Sequence, residues 1–168
     1  MYSSDNNNLH DDTILADELL NVIRALNDNE LYDFFKQMDY SEKEKLGWEL
    51  LDAVRNNDIS KVLKFIKAGA DINVQSEYTD TALMIAIRLS HVKIAEELIK
   101  AGTNVNIYNK IGNTALIEAT RGNNLLLIKK LINAGAKINH QNNFYHRALY
   151  YAKNTIISKY LISLGAED

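Results

Sequence analysis

Hydrophobic and polar residues alternate along the chain in short blocks that predict pairs of helices. Stretches such as "TALIEAT" and "LLLIKKLINA" place apolar side chains three or four positions apart, the spacing of one face of an α-helix. A small polar turn separates two such stretches, and a glycine follows the second. Nearer the start, "DTILADELLNVIRALND" and "NELYDFFKQM" show the same spacing and predict two more amphipathic helices. The pattern therefore predicts an all-α chain.

The helix pairs recur at a fixed period along the chain. Residues of one type stand 33 apart in four sets: Gly69, Gly102 and Gly135; Thr81 and Thr114; Ala82, Ala115 and Ala148; Leu83, Leu116 and Leu149. A fixed period of this length predicts a solenoid, because one unit cannot bury its apolar face alone whereas stacked units can. The small Ala86, Ala119 and Ala152, also 33 apart, would let the first helices of neighbouring units approach closely.

Residues suited to helix ends stand at the predicted boundaries. Glycine after the second helix of a unit suits a helix end, since it adopts the left-handed conformation without a steric penalty. Thr81 and Thr114 stand where a side-chain oxygen can accept hydrogen bonds from the first amides of a helix. Ser41 and Glu44 have the spacing of a capping box, which predicts that the first helix of the first unit begins there.

The repeated strings resemble the ankyrin repeat family, whose unit is a turn, two antiparallel helices and a loop. "AGADIN", "AGTNVN", "AGAKIN" and "LGAED" end the units, and "DTALMIA", "NTALIEA" and "HRALYYA" begin them. The resemblance covers roughly residues 45–168 and implies an all-α solenoid of about four helix-turn-helix units with an N-terminal helical cap. The units are expected at residues 41–75, 76–108, 109–141 and 142–168.

The chain departs from the family pattern in two ways. The usual Thr-Pro-Leu-His start lacks both its proline and its histidine, so Met84 and Ile117 would replace a hydrogen-bonding network with apolar packing. The last unit is shorter than the others, since Ala152 and Gly165 are 13 apart whereas Ala119 and Gly135 are 16 apart. Three residues are thus missing at the turn between its helices, and this unit is expected to act as a C-terminal cap.

The N-terminal region is expected to differ from the repeats. Residues 1–11 are polar and acidic and are expected to be flexible, whereas residues 12–40 are expected to cap the first repeat, because open solenoid ends expose apolar surface. An alternative is that residues 15–31, "LADELLNVIRALNDNEL", act as an F-box-like adaptor, since they are similar to the opening of the motif that recruits a ubiquitin-ligase scaffold. The proline usual after its first leucine is Ala16 here.

Composition and charge narrow the function. The chain has no cysteine, which excludes disulfides, thiolate metal sites and cysteine nucleophiles. Residues 1–44 carry a net charge of −8 and residues 45–168 one of +5, and no run of Lys or Arg exceeds two residues, so nucleic acid is not an expected partner. Without an apolar span or a signal-peptide pattern, the chain is expected to be cytoplasmic, with no membrane partner, or delivered to a host cell without a classical signal. Its twenty asparagines, with many isoleucines and lysines, indicate an AT-rich bacterial or viral genome.

No catalytic, cofactor or metal site is expected. None of the four histidines, His10, His91, His140 and His146, lies in a zinc-protease or nucleophile-elbow motif. No glycine-rich stretch has phosphate-binding spacing. His91 falls in the turn between the helices of the second unit, where a structural role is expected. The chain is therefore interpreted as a non-enzymatic protein.

Protein binding is the function class that remains, and the repeat positions predict which surface of the chain would bind a partner. The resemblance implies that partners meet the loop tips and the concave side of the first helices. Three large apolar residues share one tip position, Tyr78, Ile111 and Phe144, and such a row is a candidate interface. Self-packing of the tips is the alternative. A polar rim with arginines is expected around the row, from Glu77, Asp80, Arg88, Tyr108, Lys110, Asn113, Arg121, Asn143 and His146.

Three roles follow from this surface. The first is a monomeric interaction protein that binds a protein partner of unknown identity, as a regulator or as a host-directed effector. The second is an immunity or antitoxin protein that occludes a toxin, which a toxin gene beside this one would indicate. The third, an enzyme or small-ligand binder, would need a closed concave pocket, which repeat stacks seldom form.

Overall fold

The structure, a computed structural model, describes residues 40–167, with side chains described from residue 45 onward. The predicted flexible segment 1–11, the helical cap 12–40 and the F-box-like segment 15–31 lie outside the described residues, apart from Tyr40.

The described part folds as pairs of antiparallel helices without any strand. Its seven α-helices are α1 (Tyr40–Arg55), α2 (Ile59–Lys67), α3 (Ala82–Arg88), α4 (Val92–Lys100), α5 (Ala115–Arg121), α6 (Leu125–Asn133) and α7 (Thr155–Ser163), and a 3₁₀ turn at Leu149–Tyr151 precedes α7. Successive first helices pack on one another, α1 on α3, α3 on α5 and α5 on the 3₁₀ turn. The second helices α2, α4 and α6 form the other layer. The all-α repeat solenoid predicted from the sequence is confirmed.

The two layers are buried to different extents. The first six residues of α3 and of α5 are all buried, because these helices have a neighbour on either side and a second helix behind them. In α4 and α6 only one face is buried, formed by Ile94, Ala95 and Leu98 and by Leu127, Ile128 and Leu131. Met84 and Ile117 lie in the core as expected.

The helix boundaries follow the predicted capping residues closely. The hydroxyl oxygens of Thr81 and Thr114 accept hydrogen bonds from the amides of Met84 and Ile117, which confirms both as N-caps. The repeat glycines have positive φ, from 75° at Gly69 to 87° at Gly135, as a left-handed helix end requires. His91 has a structural contact: its Nδ1 lies 2.9 Å from the carbonyl oxygen of Val54 in the preceding unit.

Two local predictions were wrong. The first helix begins by Tyr40, so Ser41 lies within it and is not the N-cap residue. In the last unit, "HRALYYA" forms only a 3₁₀ turn, and Ala152 is partly exposed instead of buried in a close helix contact. The physical reason is chain length, because three fewer residues connect Ala152 to the glycine that ends the unit and the chain must turn early to reach α7.

Candidate protein-binding surface

Each loop tip is a tight hairpin with one left-handed residue. The amides of Ser76, Asn109 and Asn142 donate to the carbonyl oxygens of Asp80, Asn113 and His146, respectively, and these bonds close the hairpins. Inside the hairpins, Thr79, Gly112 and Tyr145 share one repeat position, and all three have positive φ, between 57° and 79°. The three tips thus share one backbone conformation, although only the middle one has a glycine.

The tips contact one another through their backbones. The amide of Lys110 donates to the carbonyl oxygen of Tyr78 at 3.4 Å, and the amide of Asn143 donates to that of Ile111 at 3.1 Å. The side-chain amide of Asn143 also donates to the carbonyl oxygen of Lys110 at 3.0 Å. These bonds hold the hairpins in a row at one edge of the stack.

The side chains of the apolar row remain on the surface. Tyr78, Ile111 and Phe144 are 72%, 41% and 59% exposed. Packing between tips therefore involves the backbone and leaves these three side chains largely uncovered. Of the predicted rim, Glu77, Tyr108, Lys110 and Asn143 are exposed as well, and the ring of Tyr108 stacks on His140 with 5.6 Å between centroids.

Asp80 and Asn113 do not form part of an exposed rim, and that prediction was wrong. They are only 3% and 1% exposed, because each is bound by an asparagine of the next tip. The side-chain amide of Asn109 donates to Asp80 Oδ1, and that of Asn142 donates to Asn113 Oδ1, both at 2.8 Å. Both residues therefore stabilise the stack, and neither presents an exposed side chain on the rim.

Asn109 and Asn142 are the residues that sequence analysis missed. Besides its bond to the preceding tip, each accepts two backbone amides of its own hairpin through Oδ1, from Ile111 and Asn113 or from Phe144 and His146. The signal was present in the sequence, since these two asparagines also occupy one repeat position. They connect the tips into one buried polar ladder.

The two predicted arginines end the first helices and lie over buried carboxylates. Arg88 Nη2 is 2.7 Å from Asp80 Oδ2, and Arg121 Nη1 is 3.4 Å from Glu118 Oε1. The hydrogen bond from Arg88 to Asp80 raises the pKa of its guanidinium, with partial burial opposing this and the charges of Asp80 and Glu118 adding to it. Each arginine side chain is 48% exposed, whereas the Asp80 and Glu118 side chains are only 4% and 7% exposed.

Aromatic rings complete the concave side near the last unit. His146 stacks on Tyr150 with 3.6 Å between ring centroids, and its Nδ1 lies 3.2 Å from the Tyr151 hydroxyl. The guanidinium of Arg121 lies 5.5 Å from the Tyr151 ring centroid, within cation–π distance. His146 is therefore a partly buried member of an aromatic cluster, and no pattern in the sequence separately indicated Tyr150 or Tyr151.

Three open depressions follow the arginines along the concave side. The first, about 360 Å³, lies among Tyr78, Arg88, Lys110 and Ile111. The second, about 320 Å³, shares Arg88 and Ile111 with the first and extends to Arg121. The third, about 380 Å³, continues from Arg121 to Tyr151 and Lys153. Together they form the groove, a continuous surface beneath the tip row.

The described part of the chain offers neither a metal-binding cluster nor a membrane-crossing helix. Between residues 45 and 167, where side chains are described, no three His, Asp or Glu side chains are close enough together to hold a metal ion. Within the same range no helix combines the length and the apolar character needed to cross a bilayer.

Comparison with known proteins supports the resemblance inferred from the repeats. No curated protein gives a significant match to the chain. The family described as ankyrin repeats, in three copies, matches residues 50–142, which is more than half of the sequence. The match includes the whole of α2 to α6 and the first two tip hairpins. The chain therefore belongs to the ankyrin repeat family.

Proposed function

We propose that this chain is a non-enzymatic protein that binds a protein partner through its tip row and groove. Ankyrin repeats are general protein–protein interaction modules, and the family is typically non-enzymatic. The single observation that carries the proposal is the exposure of Tyr78, Ile111 and Phe144 in one repeat position. Apolar side chains in a contiguous exposed row are a common mark of an interface, whereas scattered ones are ordinary.

The composition around the row supports the same assignment. Aromatic residues and arginine dominate the binding energy of protein interfaces, and here Tyr78, Phe144 and Tyr108 are exposed beside Arg88 and Arg121. Both arginines are held by buried carboxylates, so little side-chain entropy is lost when a partner orders them. We propose that the protein acts as a monomer in the cytoplasm of the cell where its partner resides. The partner's identity then determines whether it is a regulator, a host-directed effector or an immunity protein.

Replacing Tyr78, Ile111 and Phe144 together with serine is expected to weaken partner binding by more than about a hundredfold, since truncation of an interface hot spot typically costs about 2 kcal/mol or more. Stability is expected to fall by about 0.5 kcal/mol or less for each site, because the three side chains are exposed. The partner is first captured with the wild-type protein from native cells, and its affinity for both proteins is then measured by calorimetry alongside thermal melts.

A matched control replaces Leu63, Leu126 and Ile156 with serine. These are also exposed apolar residues, but they lie on α2, α6 and α7, away from the tips. The affinity of the control for the partner is expected to stay within about threefold of the wild-type value, a change of less than about 0.7 kcal/mol in binding free energy. Equal loss of binding in both variants, or undiminished binding by the tip variant, would contradict the proposed surface.

A further inference from the structure

We infer that the groove binds an extended acidic segment of the partner, with two carboxylates placed three residues apart. The inference rests on the proposed function and names the chemistry of the partner at the same surface. It comes from the order of charges in the groove, from the spacing of its arginines and from its apolar lining.

The charges of the groove are arranged in two layers. Its anionic residues, Asp80 and Glu118, are buried and already bound by Arg88 and Arg121. Its cationic residues are exposed, and Lys110 and Lys153 add to the two arginines. A ligand approaching from solvent therefore meets four cations before any carboxylate, although the net charge of the lining is only +2. The exposed Glu77 lies on a tip and does not line the groove.

The two arginines are suited to recognising carboxylates. A guanidinium carries five N–H donors, whereas the carboxylate beneath each arginine has two oxygens, and each arginine side chain is 48% exposed to a further ligand. The buried carboxylate fixes the guanidinium in place, and a second carboxylate can then be bound with less loss of side-chain freedom. Charge-assisted hydrogen bonds of this kind are about twice as strong as neutral ones.

The spacing of the arginines selects an extended segment. Arg88 and Arg121 occupy the same position on α3 and α5, which pack directly on each other. Packed helices lie about 8–10 Å apart. A polyproline II segment returns to the same face every third residue and rises about 3.1 Å per residue, so side chains three apart are separated by about 9 Å. Two acidic residues at this spacing would each meet one arginine.

The apolar lining favours a peptide over a nucleic acid. Tyr78 and Ile111 flank the first depression, which offers about 360 Å³ to a large side chain between the tips. A nucleic acid would need a concentrated basic footprint with many phosphate contacts, and a net charge of +2 does not provide one. An acidic peptide with one apolar anchor uses both the cations and the depression.

The test uses a short fluorescein-labelled proline-rich peptide that carries two glutamates three residues apart and one leucine. Fluorescence anisotropy with the full chain compares it with the same peptide carrying glutamine for glutamate. The acidic peptide is expected to bind at least about tenfold more tightly, since a carboxylate accepts charge-assisted hydrogen bonds from the arginines and a glutamine amide accepts only weaker ones. Nitrogen-15 NMR is expected to show shifts of the Nε–H signals of Arg88 and Arg121.

Variants of the protein locate the binding. The double variant Lys110→Gln, Lys153→Gln is expected to lower the logarithm of the affinity ratio between the acidic and the neutral peptide by at least about half. The control is the double variant Lys93→Gln, Lys159→Gln, at exposed positions of α4 and α7, which is expected to keep that ratio unchanged. Arg88→Gln is a second test, checked by a thermal melt because it leaves Asp80 buried with only Asn109 as its partner.

The inference is overturned if the acidic and neutral peptides bind equally or neither binds, if a single-stranded oligonucleotide binds more tightly, or if the Nε–H signals of Arg88 and Arg121 do not shift. Failure of the proposed function is a separate result, since it appears as undiminished partner binding by the tip-row variant. Loss of the partner in that variant, together with no preference for acidic peptides, overturns the present inference alone.

Discussion

Replacing Gly112 with alanine is expected to lower the free energy of unfolding by about 2–5 kcal/mol. Its φ of 79° is in the left-handed region, where an L-residue costs about 1–2 kcal/mol. The added Cβ would also lie 2.7 Å from the backbone nitrogen of Asn143 and 2.9 Å from Asn142 Cα. Such overlap at a packed contact costs about 1–3 kcal/mol more. Urea unfolding followed by circular dichroism measures the change.

Gly135→Ala provides the matched control. Its φ is 87°, but a Cβ added there has no heavy atom within 4 Å, so only the backbone cost of about 1–2 kcal/mol is expected. The difference between the two variants isolates the contact between neighbouring tips. The equivalent residue of the first tip is Thr79, which has a Cβ. The backbone hydrogen bond from the second tip to the first is correspondingly longer than that from the third tip to the second, 3.4 Å instead of 3.1 Å. Equal losses in the two variants would refute close packing of the second and third tips.

Replacing Asn142 with alanine is expected to destabilise the protein by about 2–4 kcal/mol. Its side chain is almost fully buried, donates to Asn113 Oδ1 and accepts the amides of Phe144 and His146. Alanine would leave all three groups without this partner, and an unsatisfied buried polar group costs about 1–3 kcal/mol. The loss is expected to appear in the same urea titration.

The neighbouring Asn143→Ala separates the buried ladder from the tip surface. Asn143 is exposed and its side chain makes one bond, to the carbonyl oxygen of Lys110, so a loss of about 1 kcal/mol or less is expected. Losses of equal size at the two asparagines would argue against the ladder as a principal connection between units. The affinity of Asn143→Ala for the acidic peptide also reports whether this exposed tip residue contributes to peptide binding.

The repeat itself made the fold predictable from the sequence. A fixed period, with glycine at each second helix end and threonine at two first helix starts, specifies the helix pairs and their boundaries through local chemistry. The tip row was predictable for the same reason, because Tyr78, Ile111 and Phe144 stand at the same position of three equivalent hairpins. Their role in binding remains a prediction.

Burial of polar residues was not predictable in this way. An aspartate or asparagine in a loop is exposed by default, yet Asp80 and Asn113 are covered because the next tip stacks over them and supplies a hydrogen bond. The sequence shows that Asn109 and Asn142 recur, but it does not show which groups they face, since their partners lie 29 residues away and meet them only when the units stack.

Local periodicity and end chemistry by themselves determined the helices, their order and the repeat register, because these depend on contacts within a unit. Only the tertiary structure decided that Arg88 and Arg121 lie over buried carboxylates and that His146 packs on Tyr150 beside Tyr151. These features depend on how closely one unit approaches the next, and that distance is set by side-chain packing between segments far apart in the chain.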